Sequence, residues 1–180
     1  RVEENLTVKA INEREIIPFL VDAAKNIEKG GADFIVIPCN TVHLFIDEVR
    51  KAVNIPVLSI VEETTKFLKK RKIKEVGILA TPTTIKNKLY DLKLQKSGIK
   101  SEIPNKLEIK IMGKIINNLV LNSHGAKDKN KFMNIVDSME KKGVLSLILA
   151  CTDLQILNPQ KKNLQFFDTM EILAKATVRE

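Results

Sequence analysis

Apolar and polar positions follow two patterns along this chain. Short continuous apolar runs occur at Phe34–Ile37, Ile55–Ile60, Val76–Ala80, Ser146–Ala150 and Phe166–Phe167. They are rich in Ile, Leu and Val and bounded by Gly, Pro or Thr, as buried strands of a parallel sheet are. Between them, apolar residues recur every three or four positions, which is helical spacing. Glu13–Lys29 carries Ile16, Ile17, Leu20, Ala23, Ala24 and Ile27 in this way, with Pro18 suited to a first turn and Gly30–Gly31 as the stop. Further helices are predicted at Leu44–Val53, Glu62–Lys72, Ile85–Lys96, Leu107–Leu121, Phe132–Lys141 and Thr169–Arg179. Ile99–Ile103 reads as a weak edge strand, and Thr81–Thr84, His124–Asp128 and Asn158–Asn163 as turns or loops. Strand and helix alternate, so an α/β fold with parallel strands and right-handed crossovers is expected.

Two of the strands end alike. Phe34–Ile37 runs into Pro38, Cys39, Asn40 and Thr41, and Ser146–Ala150 into Cys151, Thr152 and Asp153. Ligands of open parallel sheets bind at the carboxyl ends of strands. The repeated arrangement suggests two facing, pseudo-symmetric lobes, each a mostly parallel sheet flanked by helices. The expected division is residues 1–60 with 168–180 in the first lobe and 61–167 in the second.

Composition narrows the function. Of 180 residues 44% are hydrophobic but only 4% aromatic, with no Trp, so aliphatic side chains must build the core. No apolar run approaches the ~20 residues that span a bilayer, and there is no signal-peptide pattern, so the expected compartment is the cytoplasm. Two cysteines do not make a disulfide scaffold. The net charge of +8 comes mainly from lysine, most densely at Lys69–Lys74. No aromatic residues interleave with that run, so it reads as a solvated helix end and not as a nucleic-acid surface.

The cysteines carry the candidate chemistry. A thiol is a useful proton carrier near neutral pH, because its free pKa of about 8.5 falls at helix amino termini. Cys39 and Cys151 are both expected at such termini. If they flank one carbon, one thiolate removes a proton while the other thiol delivers one to the opposite face. Two buried structural cysteines are the alternative. Zinc held by the cysteines with His43 and His124 is weaker, since no close ligand spacing exists.

At these motifs the sequence resembles the aspartate/glutamate racemase superfamily, most closely its aspartate racemase branch. The resemblance lies in Pro38-Cys39-Asn40-Thr41-Val42-His43, Ala150-Cys151-Thr152-Asp153-Leu154, Ile55-Pro56 through Glu62-Glu63-Thr64, Leu79-Ala80-Thr81 with Thr84, and Phe167 through Ala174. It implies a cofactor-independent amino-acid racemase acting on aspartate or glutamate, with Cys39 and Cys151 as proton carriers. It also implies that Asn40, Thr41, Thr81, Thr84 and Thr152 hold the substrate, with His43 and Asp153 behind them. Asp153 is expected to orient Cys151 or to cap its helix, capping being favoured. No metal, membrane or nucleic acid is implied, and a homodimer stays open.

Three departures accompany the resemblance. The family's opening strand and glycine-rich turn have no counterpart, so a strand-helix unit of the first lobe is expected to be lacking. An upstream Pro-Asp-Arg-Thr-like arginine is absent. Val120 stands where a lysine would bind a side-chain carboxylate, which removes a charge-assisted contact. An amino-acid-binding relative without activity, a hydantoin racemase and a maleate isomerase therefore remain as alternatives.

Overall fold

The computed structural model describes residues 13–179. The polar opening segment 1–9 lies outside the described residues. A 3-10 turn at Glu13–Ile16 leads into α1 (Ile17–Lys29), and β1 (Ile35–Val36) is followed by a second such turn at Thr41–Phe45 and by α2 (Ile46–Ala52). Then come β2 (Val57–Leu58), α3 (Ile60–Lys70), β3 (Glu75–Ala80), α4 (Pro82–Lys86), α5 (Asp91–Lys96) and β4 (Lys100–Glu102). The chain continues through α6 (Lys106–Val120), α7 (Ala126–Lys141), β5 (Ser146–Ala150), a 3-10 turn at Thr152–Leu157, β6 (Gln165–Asp168) and α8 (Thr169–Thr177).

All pairings are parallel. A small sheet sets Ile35 of β1 against Val57 and Val36 against Leu58 of β2. A larger sheet has the order β4-β3-β5-β6, with Leu79 against Leu149 and Ile148 against Phe167. The expected α/β architecture of parallel sheets flanked by helices is thus present, and Ile99–Ile103 supplies the edge strand β4.

Alternation along the central strands assigns each side chain to a face. Val76, Ile78, Ala80, Ile148 and Ala150 pack with α3, α5 and Tyr90. Leu79, Leu147, Leu149 and Cys151 pack on the other face with α6 and α7. Both faces are covered, which is why these strands read as unbroken apolar runs. The first of these clusters also takes in Leu58, Ile60 and Val61, with Phe34 and Val36 against it, so one core spans both sheets. The basic run is a helix end as expected: Lys69 and Lys70 close α3, and the Arg71 guanidinium sits 5.2 Å over Phe67.

Several boundaries differ from the sequence reading. β1 and β2 are shorter than their apolar runs. Pro56 has no N–H, and its carbonyl accepts from Ile35 N at 2.8 Å; beyond Val36, the Ile37 carbonyl accepts from Cys39 N at 2.9 Å in a tight turn around Pro38. α3 begins at Ile60 because Ser59 caps it, its hydroxyl accepting from Glu62 N at 3.3 Å. Thr81 likewise caps α4, making a helix of the expected turn.

The helix expected over Ile85–Lys96 is two helices. Lys88 is left-handed (φ 51°), with Lys88 N donating to Ile85 O and Leu89 N to Thr84 O. That is a Schellman closure with lysine in the place glycine usually takes, at a cost of about 1 kcal/mol. It turns the chain so that Tyr90 enters the core. α7 starts at Ala126 and not at Phe132, because Asp128 accepts from Gly125 N at 3.1 Å and from Asn118 Nδ2 at 3.1 Å. Its polar first turns hid that start.

α6 packs beside α4 at Gly113, where an added Cβ would meet the Pro82 ring at 2.8 Å. Alanine would gain about 1 kcal/mol of helix propensity, but overpacking against a rigid ring costs about 1–3 kcal/mol. Gly113→Ala is therefore expected to lower stability by about 1 kcal/mol in urea denaturation. An increase would mean that α6 is not seated on Pro82.

Candidate active site

The residues that follow β1, β3 and β6 meet through buried hydrogen bonds. Asn40, next to Cys39, donates from Nδ2 to Thr169 Oγ1 at 3.1 Å. Thr169 opens α8 and donates in turn to the Leu149 carbonyl of β5 at 2.9 Å. Tyr90 donates its hydroxyl to Asn40 Oδ1. Thr41 Oγ1 lies 3.1 Å from both Thr81 Oγ1 and Thr84 Oγ1, and Thr81 donates to Thr84 at 3.0 Å. These groups are buried, so each needs a partner to offset lost hydration. Three mutually bonded hydroxyls can all be satisfied in a closed ring, and each can swing its proton to an incoming anion.

Four of the five expected binding residues are thus brought together: Asn40, Thr41, Thr81 and Thr84. Thr152 is buried but shares none of these bonds. Cys39 is half-buried and Cys151 buried, and neither is in a disulfide. Both precede or cap 3-10 turns, Thr41–Phe45 and Thr152–Leu157, where α-helices had been expected. Short turns align fewer peptide dipoles, so the dipole contribution is smaller than for an α-helix. The Cys151 thiol donates to Asp153 Oδ2 at 3.7 Å. Asp153 therefore engages the thiol instead of capping the turn.

His43 is 3% exposed. Its Nδ1 lies 2.7 Å from the Cys39 carbonyl, and Ile60 N donates to Nε2 at 3.1 Å. A carbonyl requires a donor and an N–H requires an acceptor, so the ring is the neutral Nδ1–H tautomer with both nitrogens engaged. Burial lowers its pKa to about 4. His43 ties the Cys39 turn to the start of α3; it is not placed to carry protons. Val120 packs against the core beside α7. Among the described residues no cluster of His, Cys, Asp and Glu could hold a metal ion, and no helix is long and apolar enough to cross a membrane.

Sequence reasoning missed Tyr90, Thr169 and Arg50. Arg50 donates from Nη1 and Nη2 to the two Glu62 oxygens at 3.2 and 2.9 Å and from Nη2 to the Val57 carbonyl at 2.8 Å, joining the small sheet to α3. Glu62 also pairs with Lys93 at 2.8 Å, and the Arg50 bond above all lowers its pKa to about 2. The one signal available for Tyr90 was its being the chain's single tyrosine.

A model of the Asp/Glu/hydantoin racemase family matches residues 5–177. The chain belongs to that family. The broad specificity amino-acid racemase RacX of Bacillus subtilis (strain 168) is 30% identical over 172 residues, covering 94% of this chain and 74% of RacX. The glutamate racemase of Aquifex aeolicus (strain VF5) is 28% identical over 157 residues, and the match takes in only 57% of its length. An aspartate racemase homologue from Pyrococcus horikoshii OT3 superposes with a TM-score of 0.78 at 27% identity, over 98% of this chain and 78% of that one. Picrophilus torridus aspartate racemase, at 24% identity, shares the fold with a TM-score of 0.81, over 97% of this chain and 72% of that one. By family the chain is an amino-acid racemase, an isomerase.

The His43 geometry predicts a pH effect on stability. Its folded pKa of about 4 lies below the ordinary 6.5. Between those values the unfolded chain binds more protons. The neutral ring's contribution is therefore whole above about pH 6.5 and is lost as pH falls toward about 4, at most about 3 kcal/mol in all. Urea denaturation at about pH 7, 5.5 and 4.5 checks this. His43→Gln should flatten the dependence in that window, and an unchanged slope would contradict the assignment.

Proposed function

We propose that this chain is a cofactor-independent amino-acid racemase in which Cys39 and Cys151 exchange the α-proton from opposite faces of the substrate. The observation that carries the reading is the convergence of Asn40, Thr41, Thr81, Thr84 and Thr169 from both sheets, beside the ends of the two cysteine strands. On this reading β1, β2 and α8 belong to one lobe, residues 61–167 form the other, and the substrate lies between them.

The chemistry follows from the groups present. The threonine hydroxyls and the Asn40 amide donate to the substrate carboxylate and stabilise the negative charge that develops on it as the Cα–H bond breaks. The Cys151 thiol donates to Asp153. In one direction of turnover Cys39 serves as the base. The Cys39 thiolate takes the proton from Cα, the Cys151 thiol gives its own to the other face, and the enzyme is left with the two protonation states exchanged. The reverse turnover restores them. Thr152 is assigned to the substrate on this reading.

Aspartate and glutamate are the acidic substrates that the motifs suggest. A second reading, a substrate without a side-chain carboxylate, is favoured by Val120. By the resemblance it stands where a lysine would contact such a group, and RacX is named for broad specificity.

Proton NMR in D₂O with a panel of L- and D-amino acids tests the reading. Loss of the α-proton signal, with racemisation, is expected for at least one of them. Cys39→Ser and Cys151→Ser should each lower racemisation by about 10²–10⁴-fold, the usual range for a positioned acid or base. Full activity in both variants would contradict the two-thiol reaction.

A further inference from the structure

Tyr90 is fully buried, and the two-thiol reaction makes no use of it. Its partners fix how Asn40 lies. Thr169 has one hydroxyl proton and commits it to the Leu149 carbonyl at 2.9 Å. It can therefore only accept from Asn40, which places the amide nitrogen toward Thr169 at 3.1 Å and the amide oxygen toward the phenol. The amide oxygen needs a donor, and the phenol is one. Burial raises the Tyr90 pKa well above the ordinary range. The phenol thus stays protonated wherever the enzyme works. Thr64 and Thr169 both lie beside it. Tyr90 accordingly holds the amide that follows Cys39 from within the core.

We propose that Tyr90 is a positioning residue of the racemase site: by donating to Asn40 Oδ1 it holds the amide so that its second N–H is presented to the substrate carboxylate. This rests on the racemase reading above. Without the phenol, the amide can rotate about its last side-chain bond and its oxygen loses its buried donor. A carboxylate repels an amide oxygen and attracts an N–H, so a misplaced amide weakens the bond that should strengthen in the transition state.

Tyr90→Phe keeps the ring and removes only the hydroxyl. It should lower kcat/KM by about tenfold to a hundredfold. The discriminating readout is a double-mutant cycle with Asn40→Ala. If Tyr90 acts through Asn40, adding Tyr90→Phe to Asn40→Ala costs almost nothing more; if the phenol merely supports packing, the two losses multiply. Multiplying losses, or an unaffected Tyr90→Phe enzyme, would overturn the inference and leave the racemase reading standing. Absence of α-proton exchange in the unaltered chain with every amino acid would overturn both.

A measurement on the unaltered protein decides the case in which Tyr90→Phe does not fold. With one tyrosine and no tryptophan, the near-ultraviolet tyrosine band belongs to Tyr90 alone. Titration with an amino acid that is turned over should shift that band, and the shift should vanish in Asn40→Ala. A band indifferent to such an amino acid overturns the inference.

Discussion

Asn40 and Thr169 lie 129 positions apart in the chain, and the bond between them is buried. Thr41 reaches Thr81 and Thr84 in the same way. Each of these polar groups would cost about 1–3 kcal/mol if buried without a partner. The end of β1 and the ends of the larger sheet are therefore held together by a requirement for mutual satisfaction, reinforced by the core that spans both sheets. On the proposed reading the same groups are the donors that a small carboxylate recruits, so one set of hydroxyls and one amide serves both the fold and the substrate.

What surrounds this set serves the fold. His43, which a motif reader would place at the reaction, has both nitrogens engaged with backbone groups and is neutral through the physiological range. Arg50 and Glu62 clamp the small sheet to α3 from a half-exposed position, where such a pair contributes at most about 1 kcal/mol. Their value is geometric. Asp153 accepts from the Cys151 thiol.

The fold was legible wherever hydrophobic spacing was unambiguous. β3 and β5 lie buried between two helical layers and read as apolar runs, and α6 was found nearly to the residue. Reading failed where local hydrogen bonds overrode spacing. Lys88 adopts a left-handed closure that no composition rule assigns to lysine, and it splits a helix that periodicity joins. Asp128 starts α7 within a polar stretch that looks like a loop. At the site, Asn40 and Thr41 stood out because they follow a strand end, and Thr81 and Thr84 because their turn resembles the family's. Tyr90 and Thr169 did not, since they join the network only through tertiary contacts between distant segments. The bond of Asp153 to the Cys151 thiol, weighed against capping from the sequence, needed coordinates to decide.

The central claim is geometric: two sulfur atoms share one substrate carbon. A crystal structure with a bound amino acid measures it directly. The account predicts Cα between Cys39 Sγ and Cys151 Sγ, about 3–3.5 Å from each and with the sulfurs about 7 Å apart, its carboxylate on the Thr41, Thr81 and Thr84 hydroxyls. An amino acid bound with only one sulfur near Cα, or with its carboxylate away from those threonines, would contradict it.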